Sequence, residues 1–316
     1  MRSPPDAQVA ESLEMMARQE LSAAEDTLIL ALTYRCNSAC SFCIIATEIA
    51  QGLPEAPESL LREVFQSNAA TGRFRRLTFS GAEVTLRPDL PRICERATSE
   101  GGFEVVRIQT NARRLGDRGL VRELMQAGCT EYFVSLHAHT SQLDRAITGS
   151  RRSFEEAVAG LEVLLEEGAQ VWTNTVICRD NVQHLPEIVA FLGGLGVPHV
   201  ELWSFLEVAD PRQAQQHAPL AQVMPQVRRA LDEADRLGLE SVAKWLPRCL
   251  LGPHAHKLDN HQPQMVIRDE FQRRLGQSFG FSCVHGDCRW LGRGCDGLHQ
   301  TYRSRFGDER ELLCPS

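Results

Sequence analysis

Two hydrophobic periods alternate along the chain from residue 27 to about residue 205. Short apolar runs rich in Val, Ile and Thr occur at 27–32, 75–80, 103–110, 131–136, 170–177 and 199–205, and they read as strands buried on both faces. Between them lie stretches of helical period. "PESLLREVFQSNAATG" places Leu61, Val64, Phe65 and Asn68 on one face and stops at Gly72. "SFEEAVAGLEVLLEEG" has Ser153 and Glu156 at capping-box spacing, puts Ala157, Val158, Leu161 and Leu165 on one face, and stops at Gly168. Six successive β/α units predict an α/β fold with a parallel sheet and crossover helices, most simply a barrel or partial barrel.

The flanks are different. Residues 7–24 have the pattern of an amphipathic helix with Leu13, Met16 and Leu21 on one side. After Pro211 a polar linker leads into one more helix over 221–237. The last 41 residues, 276–316, hold four cysteines and seven glycines with little periodic apolar sequence. Such a segment needs a metal or cluster as a staple, or it must dock on the barrel.

Composition narrows the function. The chain has 316 residues, 43% of them hydrophobic and 24% charged, which describes a well-packed globular protein. Its 34 basic and 41 acidic residues give a formal charge of -7, which disfavours a general nucleic-acid binder. The first 20 residues lack the apolar core of a signal peptide, and no window approaches the roughly 20 apolar residues of a membrane span. These features lead to the expectation of a cytoplasmic protein. In that reducing setting its eleven cysteines read as metal ligands, reactive thiols or core residues rather than disulfides.

The chemistry-bearing residues fall at one end of the strands. Cys36, Cys40 and Cys43 follow the first strand; Gly81 and Glu83 follow the second; Gln109, Thr110 and Asn111 close the third. Ser135, His137 and His139 close the fourth, while Asn174 sits in the fifth with Cys178 at its end. Active sites of parallel barrels lie on that rim. Three thiols on one loop leave one metal position open. A [4Fe-4S] cluster would then offer its fourth iron to an outside ligand, whereas zinc would take His or Asp from elsewhere.

With Phe42 before the last cysteine, Cys36-x3-Cys40-x2-Cys43 resembles the cluster motif of the radical S-adenosylmethionine (SAM) superfamily. "SGAEVTLRPDL" is similar to the family's GGEP segment, although Ala82 and Val84 replace its second Gly and its Pro. The stretch from "QTNARRL" to "VICRDN" resembles the branch that contains the molybdopterin-precursor cyclase and the SPASM/twitch peptide-modifying enzymes; the cyclase's glycine-arginine tail motif is absent. The likeness covers residues 27–206. It implies a partial (β/α)6 TIM barrel over 27–240, preceded by a helical extension (1–26) and followed by a small Cys-rich auxiliary-cluster region (241–316). It also implies reductive cleavage of SAM at the cluster, giving a 5′-deoxyadenosyl radical that abstracts hydrogen from a peptide or small-molecule substrate. A flavodoxin- or ferredoxin-type reductant would supply the electron. Phe42, Gly81, Ala82, Glu83, Thr110, Asn111, Ser135 and Asn174 would form the SAM pocket, with Glu83 accepting from the SAM ammonium.

In that branch, cysteines like Cys283, Cys288 and Cys295 hold an auxiliary [4Fe-4S] cluster, and Cys249 or Cys314 is available as a fourth ligand. Cys249, at the junction of barrel and tail, is favoured. A zinc knob using His285 or His299 is the alternative. The remaining singular residues have two readings each. His137 and His139, alternating at a strand end, place one ring toward the cavity or both on a polar rim. Cys178 is a thiol hydrogen donor or a buried small hydrophobe. Arg145, Arg151 and Arg152 bind an acidic group or face solvent, and Cys94 and Cys129 read as core or loop residues. The rival functions are a non-catalytic zinc or iron–sulfur scaffold and an RNA-modifying enzyme of the same superfamily.

Overall fold

The computed structural model describes residues 26–208, 213–278 and 280–313. The helix expected over 7–24 and Cys314 lie outside the described residues. Eight parallel strands form one sheet: β1 (Thr27–Thr33), β2 (Arg76–Gly81), β3 (Val105–Thr110), β4 (Cys129–Ser135), β5 (Gln170–Ile177), β6 (His199–Ser204), β7 (Glu240–Lys244) and β8 (Gln264–Val266). Their spatial order is β7-β6-β5-β4-β3-β2-β1-β8, so the sheet is open, as a partial barrel requires. The six strands expected from the sequence are present. β7 and β8 are additions that supply the sheet's two edges, with β8 running parallel to β1.

The helices are α1 (Ala46–Ala50), α2 (Glu58–Thr71), α3 (Leu90–Ser99), α4 (Arg118–Gln126), α5 (Ser141–Thr148), α6 (Ser153–Glu166), α7 (Leu185–Gly194), α8 (Leu220–Leu237), α9 (Asp269–Ser278) and α10 (Gln300–Phe306). A two-stranded antiparallel ribbon, β9 (Phe281–Ser282) with β10 (Leu298–His299), lies in the tail. Alternate residues of the strands, such as Leu30, Leu77, Ile108 and Val134, pack against helical Leu61, Phe65, Ile93 and Leu161 to form the main core. Cys94 and Cys129 are fully buried there, which resolves them as core residues.

Asn68 shows why a polar residue shares the apolar face of α2. Its amide donates to the carbonyls of Phe74 (3.0 Å) and Gly101 (2.9 Å) and accepts from Phe74 N–H (2.8 Å), tying the helix end to two neighbouring loops. Gly72 ends α2 in the left-handed conformation, as its position predicts. The capping box at Ser153 is a correction. Arg152 occupies the N-cap, and no side chain caps the helix. The Ser153 hydroxyl turns instead to Asp144 and Thr148, and Glu156 pairs with Arg113 at 2.8 Å. Tertiary partners outcompete the local cap because they satisfy a buried carboxylate.

The inner face of the sheet carries the opposite set of residues. Glu131, 5% exposed at its side chain, is paired with Arg76 and with Arg107 (2.8 Å). The Arg107 guanidinium lies 4.7 Å from the centroid of the Trp172 ring, and Trp203 Nε1 donates to Glu201 at 2.7 Å. Charges lining the curl are therefore matched before any ligand enters. From β7 the chain returns across the open side. Leu258 bridges to Ala243 of β7, and by Gln264 the chain has reached β1. Lys244 Nζ donates to the His261 carbonyl, and Asn260 Oδ1 accepts from Trp245 N–H at 2.7 Å, so this crossing segment is fastened to β7.

Candidate active site

The three-cysteine loop is built by neighbours on both sides. Ala39 N–H donates to Thr148 O and Ser41 N–H to Ile147 O, both at 2.9 Å, which lays the loop on the end of α5. Arg113, from the loop after β3, donates to Asn37 O and to Ser38 Oγ (3.0 Å) while Glu156 holds its other edge. Asn111 Nδ2 donates to Asn37 Oδ1 at 2.7 Å and lies 3.9 Å from Cys36 Sγ. All three cysteines are half-buried. Burial, reinforced by the neighbouring loop thiols, pushes Cys40 far up, and burial is the main cause that pushes Cys43 up to about 11. Cys36 is raised by burial as well. Thiols in such a setting stay protonated near neutral pH, and metal coordination is what would release their protons.

Gly81 and Glu83 lock the next two strand ends together. Gly81 has φ +118°, and a Cβ on it would collide with the Thr33 carbonyl oxygen, so glycine is required where β2 meets β1. Ala82 N–H donates to Thr33 O (2.8 Å) and Glu83 N–H to Arg35 O (2.9 Å). The Glu83 carboxylate is fully buried and accepts four hydrogen bonds. They come from Thr85 N–H (3.1 Å), Thr85 Oγ1 (2.6 Å), Thr110 Oγ1 (2.7 Å) and Asn111 N–H (2.7 Å). An ammonium reaching it would be a fifth partner, so Glu83 is first of all the brace between the β2 and β3 loops. Behind that loop α6 comes close enough that a Cβ at Gly160 would meet the Ala112 carbonyl oxygen. On the far side of the rim, Ser135 Oγ donates to Asn174 Oδ1 at 2.8 Å.

Phe42 is buried and stands edge-on to His137, ring centroids 4.7 Å apart. His137 does not face an open cavity. It accepts from Val176 N–H through Nδ1 (3.1 Å), and full burial drives its pKa down to about 3. His139 is half-buried against His184, ring centroids 5.3 Å apart. Cys178 lies in a small apolar cluster with Phe42, Ile147 and Phe205, against which Cys40 packs, and burial raises its thiol to about 11. Arg145, Arg151 and Arg152 are exposed, and Arg152 pairs with Glu156 at 3.4 Å.

A second group of thiols gathers in the tail. Cys249, Cys283, Cys288 and Cys295 line one cavity together with His285, Trp290 and Leu313. The Arg248 guanidinium stacks 4.0 Å from the Trp290 centroid at its wall. His285 Nε2 is engaged with Leu313 O at 3.0 Å, while His299 caps α10 and does not line the cavity. Among the described residues no three His, Cys, Asp or Glu side chains converge at single-ion spacing. Thiolates of a [4Fe-4S] cluster each meet a separate iron and stand further apart than ligands that share one zinc at about 2.3 Å.

Residues 30–192, just over half of the chain, match the profile of the family described as "Radical SAM superfamily". The chain belongs to the radical SAM superfamily. A curated relative, the "Probable GTP 3',8-cyclase" of Methanopyrus kandleri, is 33% identical over 167 residues, and the match covers 52% of each chain. The radical SAM chain thus spans about half the length of that relative. Among solved structures it resembles SuiB of Streptococcus suis bound to precursor peptide SuiA, with TM-score 0.59 and 16% identity over 77% of this chain and 54% of that one. It also resembles native anSMEcpe with bound AdoMet and Cp18Cys peptide, with TM-score 0.57 and 11% identity over 68% and 63%. These likenesses are of fold. The radical SAM match contains every rim residue described above and excludes all four tail cysteines. No helix among the described residues is long and apolar enough to cross a membrane.

Several residues that build the radical SAM rim carry little signal in the sequence. Arg113 and Gly160 act through partners distant in sequence, and Asn181 through both near and distant ones. The Asn181 amide, fully buried, holds Cys178 N–H (2.8 Å), His137 O (3.1 Å) and Val176 O (2.9 Å). Only its place in "CRDN", just past a strand end, hints at such a role.

Proposed function

We propose that the chain is a SAM-cleaving radical enzyme whose first [4Fe-4S] cluster is held by Cys36, Cys40 and Cys43. The observation that carries this reading is three half-buried thiols on the β1 loop, fixed by Asn111 and Arg113 to the same rim that Glu83 braces. The cluster–SAM pair, when bound, supplies hydrogen-atom abstraction by a 5′-deoxyadenosyl radical. The protein's part is position. Gly81 and Ala82 bring their backbone to the rim, Ser135 and Asn174 offer polar groups at the ends of β4 and β5, and buried Phe42 packs edge-on against His137 beside the last cysteine. A flavodoxin- or ferredoxin-type protein is the proposed reductant, and the cytoplasm the proposed location.

Residues 27–240 are the catalytic barrel in this reading and 241–316 the auxiliary region, joined through β7 and β8. Cys249, Cys283, Cys288 and Cys295 hold an auxiliary [4Fe-4S] cluster. The shared cavity supports Cys249 as the fourth ligand, with His285 already engaged elsewhere. A peptide is the favoured substrate class because the structural neighbours SuiB and anSMEcpe are described with bound peptides. A small molecule is the second reading, supported by the similarity to a GTP 3',8-cyclase.

Anaerobic reconstitution followed by reduction with SAM present tests the proposal. An iron–sulfur absorption band and release of 5′-deoxyadenosine are expected. Colourless protein holding stoichiometric zinc, with no SAM cleavage, would establish the scaffold reading instead.

A further inference from the structure

The carbonyl oxygens of Cys43 and Ile44 in the three-cysteine loop accept from side chains far along the chain, Gln213 and Arg274. Arg274 of α9 donates from Nη2 to Ile44 O (2.6 Å) and from Nη1 to Val208 O (2.6 Å). The same guanidinium forms a two-point pair with Glu48, through Nε to Oε1 at 2.9 Å and Nη2 to Oε2. Glu48 is 2% exposed and lies in α1, directly after the loop. Beside it, Gln213 Nε2 donates to Cys43 O at 2.6 Å, and Gln213 Oε1 accepts from Val208 N–H at 3.0 Å. One fork therefore joins the cysteine loop, the segment after β6 and the tail helix. The geometry is specific to arginine, because a planar fork is needed to serve a carboxylate and two carbonyls at once.

α9 is also held at its C-terminal end. Gln300 Nε2 donates to Gln277 O (2.9 Å) and Gln300 N–H to Gly280 O (2.7 Å), just ahead of Cys283. The tail helix thus bonds the first thiol loop through Arg274 and, close to its end, the segment that leads to Cys283. Arg274 and Cys283 are only nine positions apart, whereas Arg274 and Glu48 are 226 apart.

We propose that Arg274 is the positioning residue of the first thiol loop: it clamps the Cys43–Glu48 turn from the C-terminal extension, so that the loop keeps its ligating shape only while the extension is docked. The proposal rests on the reading of that loop as the cluster site, but its test needs no cluster.

In the full-length unloaded protein, iodoacetamide labelling resolved by peptide mass spectrometry reports each thiol separately. Arg274→Gln is expected to label Cys40 and Cys43 about tenfold faster than the parent protein, by allowing the loop to open locally, while fully buried Cys94 stays at the parent rate. Arg274→Lys, which keeps the charge but offers a single donor nitrogen in place of the planar fork, should restore part of the protection. Cys40 and Cys43 rates within twofold of the parent in Arg274→Gln would overturn the proposal. Equal acceleration at Cys94 would overturn it too, since that marks global loosening. Failure of SAM cleavage by the reconstituted parent protein, alongside a positive labelling result, would reject the radical reading and leave the clamp standing.

Discussion

Glu83 affords a direct measure of how much of the rim is built before a ligand arrives. Its carboxylate accepts from two backbone N–H groups and two hydroxyls, and it is wholly buried. Glu83→Gln keeps the shape but turns one oxygen into an NH2 group. If the retained oxygen faces the two threonines, the new amide points its hydrogens at Asn111 N–H. A bond is lost there and two donors are left opposed. A buried donor without its partner costs about 1–3 kcal/mol, and a bond to a charged acceptor contributes about 1.5–3 kcal/mol. Losing one charge-assisted bond and weakening the other three should therefore cost about 3 kcal/mol in unloaded protein. Urea unfolding followed by far-UV circular dichroism reads this as a lower midpoint at unchanged slope. A midpoint shift equivalent to less than about 0.5 kcal/mol, the range of ordinary surface changes, would show that Glu83 is not a brace and waits only for a ligand.

Other outcomes follow from the same geometry. Replacing Cys36, Cys40 and Cys43 together by Ala should abolish 5′-deoxyadenosine release yet leave the tail's iron signal, as read by electron paramagnetic resonance. Cys283→Ser with Cys288→Ser should lower bound iron by about four per chain after reconstitution, as measured by iron assay. Gly160→Ala should disturb the β3 loop through the Ala112 carbonyl and weaken SAM binding in equilibrium dialysis, with the α6 helix content unchanged. Stability should fall as pH drops from about 6.5 toward 4. Burial holds His137 at about 3 and His217 at about 4, so the unfolded chain takes up protons that the folded chain refuses. Each histidine contributes up to about 1.4 kcal/mol per pH unit in that window, and His137→Asn should remove one proton from the slope of stability against pH.

What the sequence made legible and what it left dark divide along one physical line. Apolar periodicity depends on neighbours three or four residues apart, so the face Leu61–Val64–Phe65–Asn68 and the stop at Gly72 could be read directly. The six inner strands could be read because each is an apolar run between turn residues. Ser153 illustrates the limit: its local partner was Glu156, yet the buried Asp144 claimed its hydroxyl. β8 has three residues, too few for any period, and exists because β1 offers it an unpaired edge. The Arg274–Glu48 pair joins residues whose spacing encodes nothing, since only the fold brings them together.

The placement of β7 and β8 bears on how the molecule is made. Both edges of the sheet come from chain beyond residue 239, so during synthesis the first six strands leave the ribosome with β1 and β6 bare on their outer sides. Bare parallel edges are templates for pairing with other chains. The same late segment that seals them carries Arg274 and the tail cysteines, so covering the bare edges and fastening the first thiol loop fall to one stretch of chain and become a single folding event.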